Sequence, residues 1–112
     1  MQNLNTVFDS DGDNTAQSVI TQSGRLYFIE SSNKNAVDVY LQFFDLKVAN
    51  VTVGTTVPKL SFLVPANGAM DKTFVDCPIA FSNAITYACT TTATGGTDPA
   101  VGLALNFGYQ ES

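Results

Sequence analysis

The chain has 112 residues and carries five Lys plus Arg against ten Asp plus Glu, a net charge of −5, and its length suits a single domain. Only 13% of its residues are charged, about half the roughly 25% usual for soluble globular proteins. It contains no His and no Trp, which removes Ser/His and Cys/His nucleophile pairs and histidine metal sites, while the acidic balance opposes nucleic-acid binding.

The dominant periodicity is two. In chain order the expected strands are Leu4 to Phe8, Ala16 to Gln22, Leu26 to Ser31, Val37 to Phe44, Val57 to Val64, Ala69 to Val75, Ile85 to Thr91 and Val101 to Tyr109, most of them rich in β-branched and aromatic residues. Val37, Val39, Leu41 and Phe43 form one face of the fourth, and Val101, Leu103, Leu105, Phe107 and Tyr109 one face of the last. The other face of the last strand, Gly102, Ala104, Asn106 and Gly108, is nearly bald. Either a backbone packs close there, or the strand is left flat for a neighbour to cover.

Turn signals separate the strands. Ser23-Gly24 and Asn67-Gly68 are expected to close hairpins, and Ser32-Asn33-Lys34-Asn35 is expected to form a loop. The Thr- and Gly-rich stretch from Thr90 to Pro99 reads as a strand end running into a mobile loop. The best helical pattern, Phe44 to Ala49, is short. About eight strands at a spacing near ten residues predict one antiparallel β-sandwich domain over residues 1–112, jelly-roll or immunoglobulin-like. No apolar run reaches the roughly 20 residues of a membrane span. The start MQNLNTVFDSDGDN lacks the basic and apolar stretches of a signal peptide, so the product is expected to be made in the cytoplasm.

Asp9, Asp11 and Asp13 in DSDGDN resemble the opening of a calcium loop, but the sixth and twelfth positions hold Asn14 and Ile20 in place of the Gly and Glu that an EF-hand requires. The segment reads instead as an acidic loop between the first two strands, and no metal or other cofactor is expected. Cys77 and Cys89 read as free thiols, Cys89 inward on its strand beside Ile85 and Tyr87. Asp38, Asp45, Asp71 and Asp76 are the acids available for paired-carboxylate glycoside chemistry. A small sandwich offers little cleft, so no catalytic residue and no enzyme activity is expected.

The aromatic pattern is more informative. Tyr40 and Phe44 lie opposite the aliphatic stripe of their strand, and Tyr27 lies opposite Leu26 and Phe28. Apolar bulk on both faces has two readings: a second layer or loop covers the strand, or Tyr27, Tyr40 and Phe44 form a contact surface for a protein partner.

NAVDVYLQFFD (35–45), VTVGTTVPKLSFLVPANGAM (51–70) and AITYACTTTATGGTDPAVGLALNFGY (84–109) resemble small virion proteins of tailed bacteriophages, and over roughly residues 15 to 109 the chain is similar to their capsid decoration or cement proteins. That resemblance implies an all-β module without catalytic residues. Such a module oligomerises, often as a trimer, and binds the major capsid protein of the assembled head. The expected location is therefore the virion capsid. Few charges suit a protein working beside many copies of itself on a crowded lattice. Competing expectations are a tail, baseplate or fibre-associated subunit or adsorption module, with aromatics in a loop groove, and a carbohydrate-binding module, which the lack of Trp disfavours.

Overall fold

In the computed structural model, which describes residues 4–112, β-branched and aromatic alternation yields nine strands. They are β1 (Asn5–Gly12), β2 (Gln17–Ile20), β3 (Gly24–Ser32), β4 (Val39–Phe44), β5 (Leu60–Val64), β6 (Ala69–Thr73), β7 (Ile79–Phe81), β8 (Ile85–Thr90) and β9 (Leu103–Glu111). All eight expected strands are present. The additional strand, β7, is three residues long, too short to show a period. Val57 falls outside β5 and is 83% exposed, since Pro58 lacks the N–H that a ladder needs. The expected helix over Phe44 to Ala49 is corrected to a single 3-10 turn at Val48–Asn50, Phe44 being the last residue of β4.

Two antiparallel sheets result. The first has the order β1-β9-β3-β6, with β7 also paired to β3, and the second has the order β2-β8-β4-β5. The pairs β4–β5, β3–β6, β2–β8 and β1–β9 are nested one within another, as in one long hairpin rolled into two sheets. The chain is thus a jelly-roll β-sandwich. This topology corrects both hairpin expectations. Ser23-Gly24 and Asn67-Gly68 carry the chain from one sheet to the other, because β2 pairs with β8 and not β3, and β5 pairs with β4 and not β6. Asn67 takes the left-handed conformation, with φ of 51°, that an Asn-Gly turn favours.

The inner faces alternate as the sequence pattern requires within the strands, but Val37 and Val101, expected on the inner stripes of β4 and β9, lie before those strands and are 55% and 47% exposed. Leu26, Ile29, Leu103, Leu105 and Phe107 of the first sheet meet Val39, Leu41, Phe43, Ile85 and Cys89 of the second, all fully buried. Phe43 is the hub. Its ring stands edge-on to Phe62 (centroids 5.9 Å apart) and Phe107 (5.7 Å), the edge-to-face arrangement that ring quadrupoles favour, and Phe81 lies tilted at 6.3 Å.

Buried amides tie the loops at one end of the sandwich. Asn33 Nδ2 donates to the carbonyls of Val37 and Val64, and Asn35 Nδ2 donates to Asn33 Oδ1 and to the Val101 carbonyl, whose own N–H returns a bond to Asn35 Oδ1. At the opposite end the Asp45 carboxylate accepts from the backbone N–H groups of Ser82, Asn83 and Ala84.

Candidate interaction surface

The two sheets treat their outer faces differently, and sequence decides how. On the second sheet, Gln42, Phe44, Thr86, Ala88 and Thr90 point away from the core yet are all buried. The stretch after Thr90 lies against Gln42 and Thr90, and the Thr86 hydroxyl donates to the Leu46 carbonyl of the loop after β4. Gln42 Nε2 donates to the Gly95 carbonyl (3.0 Å), Ser61 Oγ to the Ala93 carbonyl (2.7 Å), and the Thr90 hydroxyl to the Thr92 carbonyl (2.7 Å). From the side, Asn14 Nδ2 donates to the Gly96 carbonyl, and the Asn14 N–H donates to Asp98. Gly54, at φ of 93°, sits so close to Gly96 that a Cβ there would lie 3.1 Å from its Cα, so both glycines are needed for the two loops to meet. The expectation of a mobile loop is therefore corrected: small residues let this segment lie flat, and its hydroxyl- and amide-bearing neighbours hold it as a cover.

The outer face of the first sheet has no such cover. Its floor is the bald face of β9. Ala104 and Asn106 are half-buried, Gly102 faces Asp11, and a Cβ on Gly108 would overlap the Phe28 ring. Apolar side chains stand beside this floor: Phe8, opposite Asn106 and 65% exposed, and Leu4, 42% exposed and close to Gly108. Two shallow hollows adjoin it. One, of about 300 Å³, is lined by Phe28, Glu30, Asp71 and Lys72, and the other, of about 230 Å³, by Glu30, Asp71, Ala104 and Asn106.

The three aromatics singled out from sequence do not come together. Tyr27 belongs to the first sheet, half-buried, its hydroxyl donating to Gln110 Oε1 at 3.1 Å. Tyr40 belongs to the second sheet, half-buried, opposite Leu63 and Thr90. Phe44 is 1% exposed. As an interface anchor Phe44 is corrected: it is a packed residue beneath the chain's own loops and offers no surface to a partner. For Phe44 the covering reading of β4 is the one found, while Tyr40 stays half-buried beside Leu63, which is 46% exposed.

Phe8 and Phe28 are the aromatics that sequence reasoning missed. Strict alternation puts Phe28 on the face of Leu26, but the β3–β9 register shifts between Leu26 and Phe28. This bulge turns Phe28 outward across from Gly108. The only hint lay in Gly108 itself, whose missing side chain makes room for the ring.

The acidic segment is likewise resolved by register. DSDG is the end of β1 and not a loop. Asp9 points inward and accepts the Tyr87 hydroxyl at 2.7 Å, Asp11 lies against Gly102, and Asp13 accepts the Thr15 N–H. The three carboxylates serve three different places. Among the described residues no group of three or more His, Cys, Asp or Glu side chains is placed to hold a metal ion. An inward carboxylate on an edge strand is a device against edge-to-edge pairing. Burial first, then the Asp9 carboxylate it bonds, pushes the Tyr87 hydroxyl far above its ordinary range, so it stays a donor.

Cys77 is exposed and Cys89 buried, and both are free thiols. Burial, together with the charges of Asp9 and Asp13, pushes the Cys89 thiol upward, away from thiolate chemistry. Asp38, which accepts the Ala66 N–H, and Asp45 are used as loop staples at different places, and Asp71 stands on the open face.

Comparisons with protein-family models, with curated proteins and with solved structures find no match. Among the described residues no helix is long and apolar enough to cross a membrane.

Proposed function

We propose that this chain is a structural protein of a bacteriophage virion, a decoration or cement protein that binds the assembled head and stabilises it. The observation that carries the reading is the asymmetry of the sandwich. One outer face is closed by the chain's own loops except at Leu63 on its β5 edge, and the other keeps Phe8, Leu4 and Phe28 around a flat floor of small residues. Exposed apolar surface of this kind marks association. The exposed aromatic, Phe8, lies on a sheet face, which favours lattice binding over a receptor groove of the kind an adsorption module would carry. The resemblance of residues 35–45, 51–70 and 84–109 to small virion proteins supports the same reading, and jelly rolls are frequent among viral capsid domains, though a fold alone does not assign a function.

The mechanism is area and multiplicity. Each protomer makes a modest contact, and a homo-oligomer that engages several capsid subunits at once gains about 10² to 10⁴ in avidity. A ligand that binds only the expanded shell then stabilises that shell by linkage. The test is composition and heat resistance of virions from a phage encoding this chain. The protein should copurify with heads in fixed ratio to the major capsid protein, and heads from a deletion strain should rupture at lower temperature. Recovery with tails, or absence from particles, would refute the assignment.

A further inference from the structure

We infer that the open face of the first sheet receives a basic, apolar protein surface, with Glu30 and Asp71 as the pair that holds its cation. The register places these two carboxylates directly opposite each other on neighbouring strands, an arrangement that destabilises a sheet when the charges are alike. The pair therefore does not stabilise this sheet, which leaves both carboxylates free to meet a partner's cation. Both hollows on this face are lined by Glu30 and Asp71, and Phe28 and Ala104 bring apolar walls to within one residue of them. An arginine suits this setting, since its planar fork bonds carboxylates while its stem packs on apolar surface.

Charge decides between the possible occupants. Arg25 pairs near the far end of β3 and Lys34 lies beyond its other end. Lys72 lines the larger hollow and Lys34 lines another beside Gly102, but the hollow of about 230 Å³ is lined by Glu30 and Asp71 with no Lys or Arg. The centre of the face is therefore acidic, on a chain of net charge −5. A second copy laid on it would set these acids against themselves, so self-association uses another surface. Only the naming of the head shell as the source of the basic surface rests on the proposed function.

The test uses the full chain and the double variant Glu30→Gln, Asp71→Asn, with melting temperature and near-ultraviolet dichroism as controls of fold. The variant should melt at or above the wild-type temperature, because a like-charge pair has been removed. The first probe is a soluble peptide of alternating Arg and Val, with a Glu and Val peptide as control. The Arg peptide should shift amide resonances of 28–32, 69–73 and 104–108 in the wild type and at least about tenfold more weakly in the variant. The second probe is undecorated heads, to which the wild type should bind at least about tenfold more tightly than the variant. Equal binding of both peptides, or equal binding of wild type and variant to heads, would overturn the inference. So would a wild-type dimer that the variant tightens, which assigns the face to a second copy. If the wild type ignores heads altogether, the head assignment fails, and the peptide arm decides the face on its own.

Discussion

The Asp45 carboxylate offers the sharpest test of how the loops are held. Its Oδ1 accepts from Asn83 N–H (2.8 Å) and Ala84 N–H (3.4 Å), and its Oδ2 accepts from Ser82 N–H (3.0 Å). It thereby joins the end of β4 to the turn before β8. A hydrogen bond to a charged group contributes about 1.5–3 kcal/mol, but this carboxylate is largely open to solvent, so screening and competition from water bring the whole set down to about 1–2 kcal/mol, the range of a helix N-cap. For a chain of this size, about 4 °C in Tm corresponds to 1 kcal/mol. Asp45→Ala should therefore lower Tm by about 4–8 °C at neutral pH, and Asp45→Asn by less. Partial burial alone would raise the Asp45 pKa, yet the three N–H donors and the Lys59 charge outweigh it and hold it below its ordinary 3.8. A lowered folded-state pKa stabilises the protein above the unfolded value and loses that contribution as pH falls through the folded one. The gap between wild type and Asp45→Asn, measured by thermal melts, should be constant from pH 5 to 7 and close below about pH 3.8. A gap that persists unchanged to pH 2, or no gap at neutral pH, would refute the assignment of this contribution to the ionised carboxylate.

Two further outcomes follow from burial. Phe43→Ala removes the ring that Phe62, Phe81 and Phe107 surround and should cost about 3–5 kcal/mol in urea unfolding, whereas Phe8→Ala, at 65% exposure, should stay within about 0.5 kcal/mol; similar costs for both would contradict the core described. Iodoacetamide should label one thiol of the native protein, Cys77, and reach Cys89 only on unfolding, as mass spectrometry of a tryptic digest can check; rapid native labelling at Cys89 would show that this part of the core opens.

Strand positions and the inward stripes of β4 and β9 were legible because period two survives wherever one face meets a core. What resisted reading was everything that depends on a partner strand. A bulge between Leu26 and Phe28 reverses the facing of a ring without any mark in the β3 sequence itself. The same holds for DSDG, which composition makes a loop and pairing with β9 makes a strand: Asp9 is opposite Leu105 and Gly12 opposite Leu103. Ser-Gly and Asn-Gly signal a turn but not the sheet to which the chain goes next, so the hairpins they suggest became crossings between sheets. Tyr27, Tyr40 and Phe44 look alike by their position on strands, and the sandwich divides them between two sheets. The uncovered face could not be found this way, because covered and uncovered strands carry similar residues until the loop over one of them is placed.

The low charge of the chain acquires a physical origin once the cover is seen. Gln42, Thr86, Thr90, Asn33 and Asn35 are polar and buried, and they hold loops against the sandwich through side-chain bonds to backbone carbonyls. A neutral amide or hydroxyl can be buried at modest cost when its bonds are made, as they are here except at Gln42 Oε1, which is buried without a partner, while a charge in the same place demands a counter-ion and a far larger desolvation cost. A fold that closes one face with its own loops therefore calls for Asn, Gln, Thr and Ser where a sandwich with two wet faces would carry Lys and Glu. The closed face then offers a partner only its β5 edge, where Leu63 is 46% exposed beside the half-buried Tyr40. The uncovered face is that of the opposite sheet, where Phe8 and Leu4 remain exposed and two opposed carboxylates, Glu30 and Asp71, remain in register.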